Sequence, residues 1–594
     1  MIRKLLKSVR EYKPASIKAP VYVSLEVVME CIIPLIMASL IDKGIAQGSM
    51  PYIWKAGLVL LLSAFASLLF GILSGHYAAV ASAGFAKNLR RDMYSHIQEF
   101  SFANIDRFST GGLVTRLTTD VSNVQNAYQM IIRTAVRSPF MLIFSLVAAI
   151  GIDAKLSGIF AIFIPVLGVG LYLVASHAHP IFERVFKRYD RLNNVVQENL
   201  NGIRVVKSFV RKDHEIQKFD EISEEIYQDF SKAEKLLAFN MPLMQFCIYG
   251  CMLLLSWLGA KAVVACGGDA ALGLSTGELT SLFTYTMQIL SSLMMLSMVF
   301  VMIVISRASA ERIAQVLDEQ SDIVSPENAV TDVKDGSVDF NDVVFRYNSR
   351  SENPVLDHVD LHFRSGQTIG ILGGTGSSKS SLVQMIPRLY DVSEGSVEVG
   401  GVDVRRYDLD SLRNAVAFVL QKNELFSGTI AENLRWGNEN ATLEECKEVC
   451  AQACADEFID RMPDGYDTHI EQGGTNVSGG QKQRLCIARA LLKKPRVLIL
   501  DDSTSAVDTA TDAKIRRAFA QRIPGTTKII IAQRIASVQD ADRIIVMDNG
   551  RVEAFDTHEN LLKKSDLYRE IYETQTSGGG DFDSPDQMKG GDAQ

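Results

Sequence analysis

A glycine- and serine-rich loop in the second half of the chain has the composition of a phosphate-binding loop. Gln367–Leu372 reads as a buried strand and residues 382–386 (LVQMI) read as a helix. The loop between them consists of Gly373, Gly374, Thr375, Gly376, Ser377, Ser378, Lys379, Ser380 and Ser381. In such a unit, backbone amides and the helix N-terminus hold phosphates, Lys379 adds charge and the Ser380 hydroxyl serves Mg²⁺. The sequence therefore predicts a nucleotide site, although Ser378 stands where the pattern expects glycine, at a small cost in strain.

A second apolar run ends in two carboxylates. Val497–Leu500 reads as a buried strand, and Asp501 and Asp502 follow it directly. Asp501 is placed to hold Mg²⁺, usually through water. The residue after such an aspartate normally positions the attacking water, which makes Asp502 the second candidate catalytic residue.

The segment Val477–Arg484 (VSGGQKQR) resembles the signature motif of ATP-binding cassette (ABC) ATPases, and it lies between the phosphate loop and Asp501, as in that family. The resemblance implies that ATP and Mg²⁺ are the ligands and that Gln421 senses Mg²⁺ and couples to a membrane domain. It also implies that Tyr347 stacks on adenine and that Ser505–Asp508 contacts a partner cassette. The signature residues that would cap the partner's ATP are Ser478, Gly479, Gly480 and Gln481.

Three departures from the family pattern all lie at positions that bind or hydrolyse ATP. Asp502 stands where the family has a catalytic glutamate, Gln533 where it has a histidine that senses the γ-phosphate, and Ser378 in place of a glycine. The shorter carboxylate is withdrawn by one methylene, and a displacement of about 1 Å costs on the order of 10²-fold in rate, roughly 3 kcal/mol. Gln533 can donate a hydrogen bond but lacks the proton chemistry of an imidazole. We therefore expect this site to bind ATP and to hydrolyse it slowly.

The signature motif, in contrast, is intact. In this family each ATP lies between one cassette's phosphate loop and the other's signature, so an intact signature is useful when it caps a competent site. This combination resembles the degenerate-site subunit of bacterial heterodimeric multidrug exporters and predicts a heterodimer whose second half-transporter supplies the glutamate and the histidine. A homodimer with two slow sites is the alternative.

Composition indicates how these motifs are positioned. The chain has 594 residues, is 47% hydrophobic and 22% charged, and has a mean hydropathy of +0.10. Its long apolar runs lie before residue 305, which excludes a disordered chain, a disulfide scaffold and a purely soluble enzyme. A net charge of −8 argues against nucleic acid as a partner. Six runs are long enough to span a bilayer: about 19–41, 56–80, 136–153, 157–177, 241–265 and 278–304.

Basic residues predict the orientation of these spans. The polar stretches 82–135 and 179–240 are rich in lysine and arginine, whereas the loop 266–277 has neither. Both stretches, and both termini, are therefore expected to be cytoplasmic in a multi-pass protein of the bacterial plasma membrane. Residues 1–18 read as an amphipathic helix on the membrane surface. Asn104–Gly111 and Gly202–Phe209 resemble the family's two coupling helices.

Ionisable residues inside spans are functional candidates. Glu26 and Glu30 share one helix face and would either meet a cationic substrate or wet cavity, or cap a neighbouring polar group; His76 is a weaker candidate. The last span is rich in methionine, which suits either a promiscuous binding wall or ordinary packing. Its methionines are Met287, Met294, Met295, Met298 and Met302.

The expected fold class is thus a six-helix membrane bundle with long cytoplasmic extensions, followed by an α/β P-loop ABC ATPase domain. The expected boundaries are 1–18, 19–310, a linker at 311–336, a nucleotide-binding domain at 337–575 and a disordered tail at 576–594. The expected cargo is an amphiphilic small molecule, drug-like or lipid-like. A dedicated lipid or peptide exporter and an ATP-gated channel or regulator remain as alternatives.

Overall fold

The computed structural model describes residues 1–265, 274–348, 353–502 and 507–577. Ser505 and Ala506 of the expected partner-contacting loop, most of the loop 266–277 and the tail from residue 578 lie outside the described residues. The chain forms two compact units: Met1–Gln98 with Ser109–Glu319, and Glu99–Phe108 with Gln320 onward.

The first unit is helical. Within the described residues, six helical stretches are long and apolar enough to cross a membrane, and each expected span falls on one of them. Their principal helices are α1 (Lys13–Ser39), α2 (Met50–Gln98), α3 (Thr134–Ile152), α4 (Phe160–Asn201), α5 (Asn240–Ala265) and α6 (Thr276–Asp318). Several continue well beyond the apolar run, which matches the expected extensions. The polar stretches also contain helices at Phe102–Phe108, Thr110–Thr115, Val121–Ile132, Ile203–Ser208 and Lys212–Ala238.

The N-terminal segment differs from the single helix expected over residues 1–18. A short helix at Ile2–Leu5 is followed by a 3₁₀ segment at Leu6–Tyr12. Arg10 has a φ of 39°, which interrupts the helical backbone. Helix α1 then begins at Lys13 with a proline in its first turn, where a missing N–H has no consequence.

Side chains of helix α6 donate hydrogen bonds to backbone carbonyls of α1 around Pro34. Pro34 lies inside α1 and lacks the N–H that would otherwise bond the carbonyl of Glu30. The Gln288 side chain donates to that carbonyl at 3.3 Å. The Tyr285 hydroxyl donates to the Cys31 carbonyl at 2.7 Å, and the Ser281 hydroxyl to the Pro34 carbonyl at 2.6 Å. Such side-chain donors are how a span tolerates an internal proline.

In its described residues, the second unit is an α/β domain with three sheets. The order of the six-stranded sheet is β12-β11-β3-β10-β9-β6, parallel except for the edge strand β12; a four-stranded antiparallel sheet has the order β2-β1-β4-β5, and β7 pairs with β8. The strands are β1 (Val338–Phe345), β2 (Leu356–Phe363), β3 (Thr368–Gly373), β4 (Glu394–Val399), β5 (Val402–Asp403), β6 (Val416–Val419), β7 (Gly428–Thr429), β8 (His469–Ile470), β9 (Val497–Asp501), β10 (Thr527–Ile531), β11 (Arg543–Asp548) and β12 (Arg551–Asp556).

The parallel core explains the sequence pattern. Every residue of β9 and β10 is buried, as expected for strands covered on both faces. This is why Val497–Leu500 of β9 reads as a continuous apolar run, whereas β10 also buries Thr527 and Lys528 beside its three isoleucines. The main helices of the unit are α7 (Lys379–Gln384), α8 (Leu409–Ala415), α9 (Ile430–Arg435), α10 (Leu443–Gln452), α11 (Gly479–Leu492), α12 (Thr509–Arg522), α13 (His558–Lys564) and α14 (Asp566–Ser577). Strands β3, β10, β9 and β6 are parallel neighbours, so their carboxyl ends lie along one edge, where α/β sheets bind ligands.

Candidate functional site

Four parallel strands deliver the candidate residues to one cavity. Gly373 is the last residue of β3, and Asp501 is the last residue of β9. Gln421 lies two residues after the end of β6, and Gln533 lies two residues after the end of β10. The cavity has a volume of about 610 Å³. It is lined by Gly373, Gly374, Thr375, Gly376, Ser378, Lys379, Ser380, Ser381, Gln421, Asp501, Asp502 and Gln533, together with Val355, Ile531, Ile571 and Gln575. Of the expected phosphate-loop residues, Ser377 is absent from this lining and is instead buried.

The backbone of the phosphate loop explains its glycines. At Gly373 the φ is +153°, and a Cβ there would lie 2.3 Å from the Met547 carbonyl oxygen, so no side chain fits. Ser378 has a φ of 71° and a ψ of 21°, the left-handed conformation. The serine thus adopts the geometry for which the pattern uses glycine, at a cost of about 1 kcal/mol.

Hydrogen bonds orient the side chains of Lys379 and Ser380 in the phosphate loop. Lys379 Nζ donates to the carbonyls of Gly373 and Gly374 at 2.9 and 2.7 Å. Burial lowers the pKa of Lys379, and Asp501 and Asp502 partly oppose that shift. The Ser380 hydroxyl donates to Asp501 Oδ1 at 3.0 Å. A hydroxyl and a carboxylate side by side are hard oxygen ligands, so this pair fits Mg²⁺.

Asp502 is held by two amides. Gln533 Nε2 donates to Asp502 Oδ2 at 2.8 Å, and the Gln421 side chain also hydrogen-bonds to this carboxyl. Burial raises the pKa of Asp502, and the two amide contacts oppose the rise. The pKa of Asp501 is also raised, and burial is the largest cause of the rise. The residues at the three expected catalytic positions therefore form one hydrogen-bonded cluster.

Tyr347, the expected adenine-stacking residue, lies beside the loop but outside the lining of the cavity. Its hydroxyl is 2.9 Å from Ser381 Oγ on α7. Its ring meets the Tyr390 ring edge-on, with centroids 5.1 Å apart, and 52% of its surface is exposed. An exposed aromatic face at this position is available for stacking.

The signature residues Ser478, Gly479, Gly480 and Gln481 do not line the cavity of their own chain. They form the N-terminus of α11 in a reciprocal cap: the Gln481 amide donates to Ser478 Oγ at 3.3 Å, and the Ser478 amide to Gln481 Oε1 at 2.9 Å. The cap fixes the direction in which the glycine amides of this helix point. The signature motif therefore lies outside the nucleotide cavity that the phosphate loop of the same chain lines.

Two cavity residues of the C-terminal helix α14 were not predicted from the sequence. Ile571 and Gln575 line the cavity, and Gln575 bonds the backbone beyond β10 at two points. No motif marks them, since only an amphipathic helix is apparent in the sequence there.

Inside the membrane unit, Glu26 and Glu30 share one arginine. Arg137 on α3 pairs with Glu26, and its Nη2 lies 2.8 and 2.7 Å from the two oxygens of Glu30. Glu26 is buried, and within the described residues its Oε2 has no hydrogen-bond partner. The glutamates thus cap a neighbouring polar group, one of the two interpretations open from sequence. The His76 ring contacts the adjacent Tyr77 ring edge-on. Of the methionines, Met287, Met295 and Met298 are exposed.

The two segments that resemble coupling helices are both helical. The first is Phe102–Phe108, which belongs to the second unit; there the Tyr390 hydroxyl donates to Asp106 Oδ2 at 2.8 Å. The second is Ile203–Ser208, which buries none of its residues. It is followed by Phe209 and Val210, exposed by 73% and 85%.

Known proteins resemble the chain over nearly its whole length. The ABC transporter transmembrane region family matches residues 21–294, and the ABC transporter family matches residues 356–505. The uncharacterized ABC transporter ATP-binding protein YfiB of Bacillus subtilis is 35% identical over 572 residues, covering 96% of this chain and 98% of YfiB. The uncharacterized Rv1273c of Mycobacterium tuberculosis is 35% identical over 549 residues, covering 92% and 93%. A solved bacterial Atm1-family ABC exporter with ATP bound shares the fold, with a TM-score of 0.82 at 23% identity, covering 95% of this chain and 99% of that one.

Proposed function

Because the chain belongs to the ABC transporter family, with a six-span membrane domain fused to an ABC ATPase domain, we propose that it is one subunit of an ATP-driven heterodimeric exporter. Its cargo is an amphiphilic small molecule, drug-like or lipid-like, moved out of the cytoplasm across the bacterial plasma membrane. The observation that carries the proposal is the contrast between an intact signature at Ser478–Gln481 and an altered cluster at Asp502 and Gln533.

The chain's own site binds ATP with Mg²⁺ and hydrolyses it slowly. Lys379 and the loop amides hold the phosphates, and Tyr347 stacks on the adenine. Ser380, Asp501 and Gln421 hold Mg²⁺, which would neutralise phosphate charge. Asp502 is too short to position an attacking water well, and its carboxyl already accepts two amide bonds.

The signature of this chain completes the fast site of a second half-transporter, which carries a glutamate and a histidine at the two altered positions. The amides of Gly479 and Gly480 and the Ser478 hydroxyl would face the γ-phosphate held by the partner, where charge builds in the transition state. Removing one such donor typically costs 10²–10³-fold in rate.

Steady-state ATPase of the complex, as it purifies from cells, tests this division of labour. Gly480→Asp adds charge and bulk at the partner's γ-phosphate and should reduce ATPase and transport by at least about 10²-fold. Asp502→Ala should reduce them far less, because that carboxylate contributes little. Equal damage from the two substitutions would show that this chain hydrolyses ATP itself and would favour the homodimer.

The proposed orientation places both polar stretches and both termini in the cytoplasm. A cysteine at position 269, in a Cys266→Ser background, should react with an impermeant thiol reagent added to intact cells. Cysteines at positions 106 and 208 should react only after lysis. Reaction of position 106 from outside would contradict this topology.

A further inference from the structure

Two side chains of the C-terminal helix α14, Ile571 and Gln575, line the nucleotide cavity, and Gln575 also hydrogen-bonds to the loop beside it. Gln575 lies in the last turn of α14, and its side-chain amide bonds the loop that follows β10 at two points. Its Nε2 donates to the Gln533 carbonyl at 2.9 Å, and its Oε1 accepts from the Ile535 amide at 2.9 Å. One side-chain amide thus satisfies a carbonyl and an N–H two residues apart, as a paired strand would.

Gln533, whose backbone carbonyl accepts from Gln575, contacts Asp502 through its side chain. The Gln533 side chain donates to Asp502 Oδ2 at 2.8 Å, so a continuous set of hydrogen bonds runs from α14 to the carboxylate. Beyond Ile531, the Ala532 amide still donates to the Ile371 carbonyl of β3 at 3.2 Å, so the ladder of the sheet ends one residue before Gln533. Ile571, one turn earlier on α14, lines the same cavity.

We propose that Gln575 is a positioning residue that holds the Gln533 loop in place and so prolongs nucleotide retention at this chain's own site. With the loop held, Gln533 is preorganised against Asp502 at the phosphate end of the cavity. Without the two bonds, the loop samples other conformations and the contact with the nucleotide weakens. The inference rests on the proposed slow site and makes α14 its regulatory element.

The test measures release of ATP trapped at this chain's site in the purified full-length complex. The Lys379→Ala complex, which should lose this nucleotide, identifies the signal. Gln575→Leu keeps the bulk of the side chain but removes donor and acceptor, and release should become about five- to thirty-fold faster, as expected for one or two neutral hydrogen bonds. Thr576→Ala is the matched control, because among the described residues that hydroxyl bonds only within its own helix, to the Tyr572 carbonyl.

A double-mutant cycle separates positioning from a merely structural role. If Gln575 acts through the Gln533 side chain, Gln575→Leu should have little further effect in a Gln533→Leu complex. Additive effects, or equal acceleration by Thr576→Ala, would overturn the inference. The wild-type release rate tests the proposed function independently: fast wild-type release would reject the slow site, whereas slow release unaffected by Gln575→Leu would reject only the role of Gln575.

Discussion

Lengthening the carboxylate at position 502 should create hydrolysis at this chain's own site. Asp502→Glu extends the side chain by one methylene, about 1.3 Å along the chain direction. A misplacement of about 1 Å costs on the order of 10²-fold, so correcting it is worth roughly 3 kcal/mol of barrier. The extended carboxylate also leaves the 2.8 Å bond from Gln533, which costs about 1 kcal/mol or fivefold. The net expectation is about a twentyfold increase in the rate at this site.

The partner's fast site would hide this gain, so the assay uses a Gly480→Asp background in which that site is silenced. Residual ATPase then reports on the phosphate loop of this chain. Asp502→Glu should raise it about twentyfold, and adding Gln533→His should raise it further. Asp502→Asn is the matched control, since it keeps the length of the side chain and replaces the carboxylate with an amide.

Two results would refute this reasoning. If Asp502→Glu leaves the residual rate unchanged, the length of the carboxylate does not limit hydrolysis here. If Asp502→Asn raises the rate as much as Asp502→Glu, then loss of the negative charge at position 502, and not the position of the carboxylate, controls the site.

Three further predictions follow from other contacts. Ser378→Gly relieves a left-handed residue and should stabilise the ATPase domain by about 0.5–1 kcal/mol, seen as a rise of a few degrees in its unfolding temperature. Arg137→Met should destabilise the membrane unit by on the order of 3 kcal/mol, because Glu26 is left buried without its partner; adding Glu26→Gln should recover part of the loss in a thermal-shift assay. Tyr390→Phe removes the bond to Asp106 and should lower cargo-stimulated ATPase while leaving ATP binding unchanged, and Asp106→Asn added to it should have little further effect.

The phosphate loop and the carboxylates could be predicted because their chemistry is local. Gly373 to Ser381 lie within one strand–loop–helix unit, and Asp501 directly ends a strand whose five residues are all buried. In each case a continuous apolar run specifies the strand and the next residues specify the site. The six spans were predictable for the same reason, since a bilayer requires uninterrupted apolar length.

The partners of these residues could not be predicted because they are distant in sequence. Gln575 lies 42 residues from Gln533, Arg137 lies 107 from Glu30, and Tyr390 lies 284 from Asp106. Packing alone decides which of many polar side chains meet at such separations, and periodicity carries no record of it. The break at Arg10 is likewise invisible, because the basic and apolar residues around it keep helical spacing.

The two altered catalytic positions form one unit. A histidine donates or accepts according to its tautomer and protonation, which is what proton-transfer chemistry needs. The Gln533 amide has a permanent donor, and its contact with Asp502 at 2.8 Å does not depend on the protonation of residue 533. Under the proposed function, a shortened carboxylate beside a permanent donor gives a static pair, suited to holding a nucleotide and unsuited to turning it over. On that proposal the two positions act as a pair, because changing only one of them would leave either a glutamate without its histidine or a histidine without its glutamate.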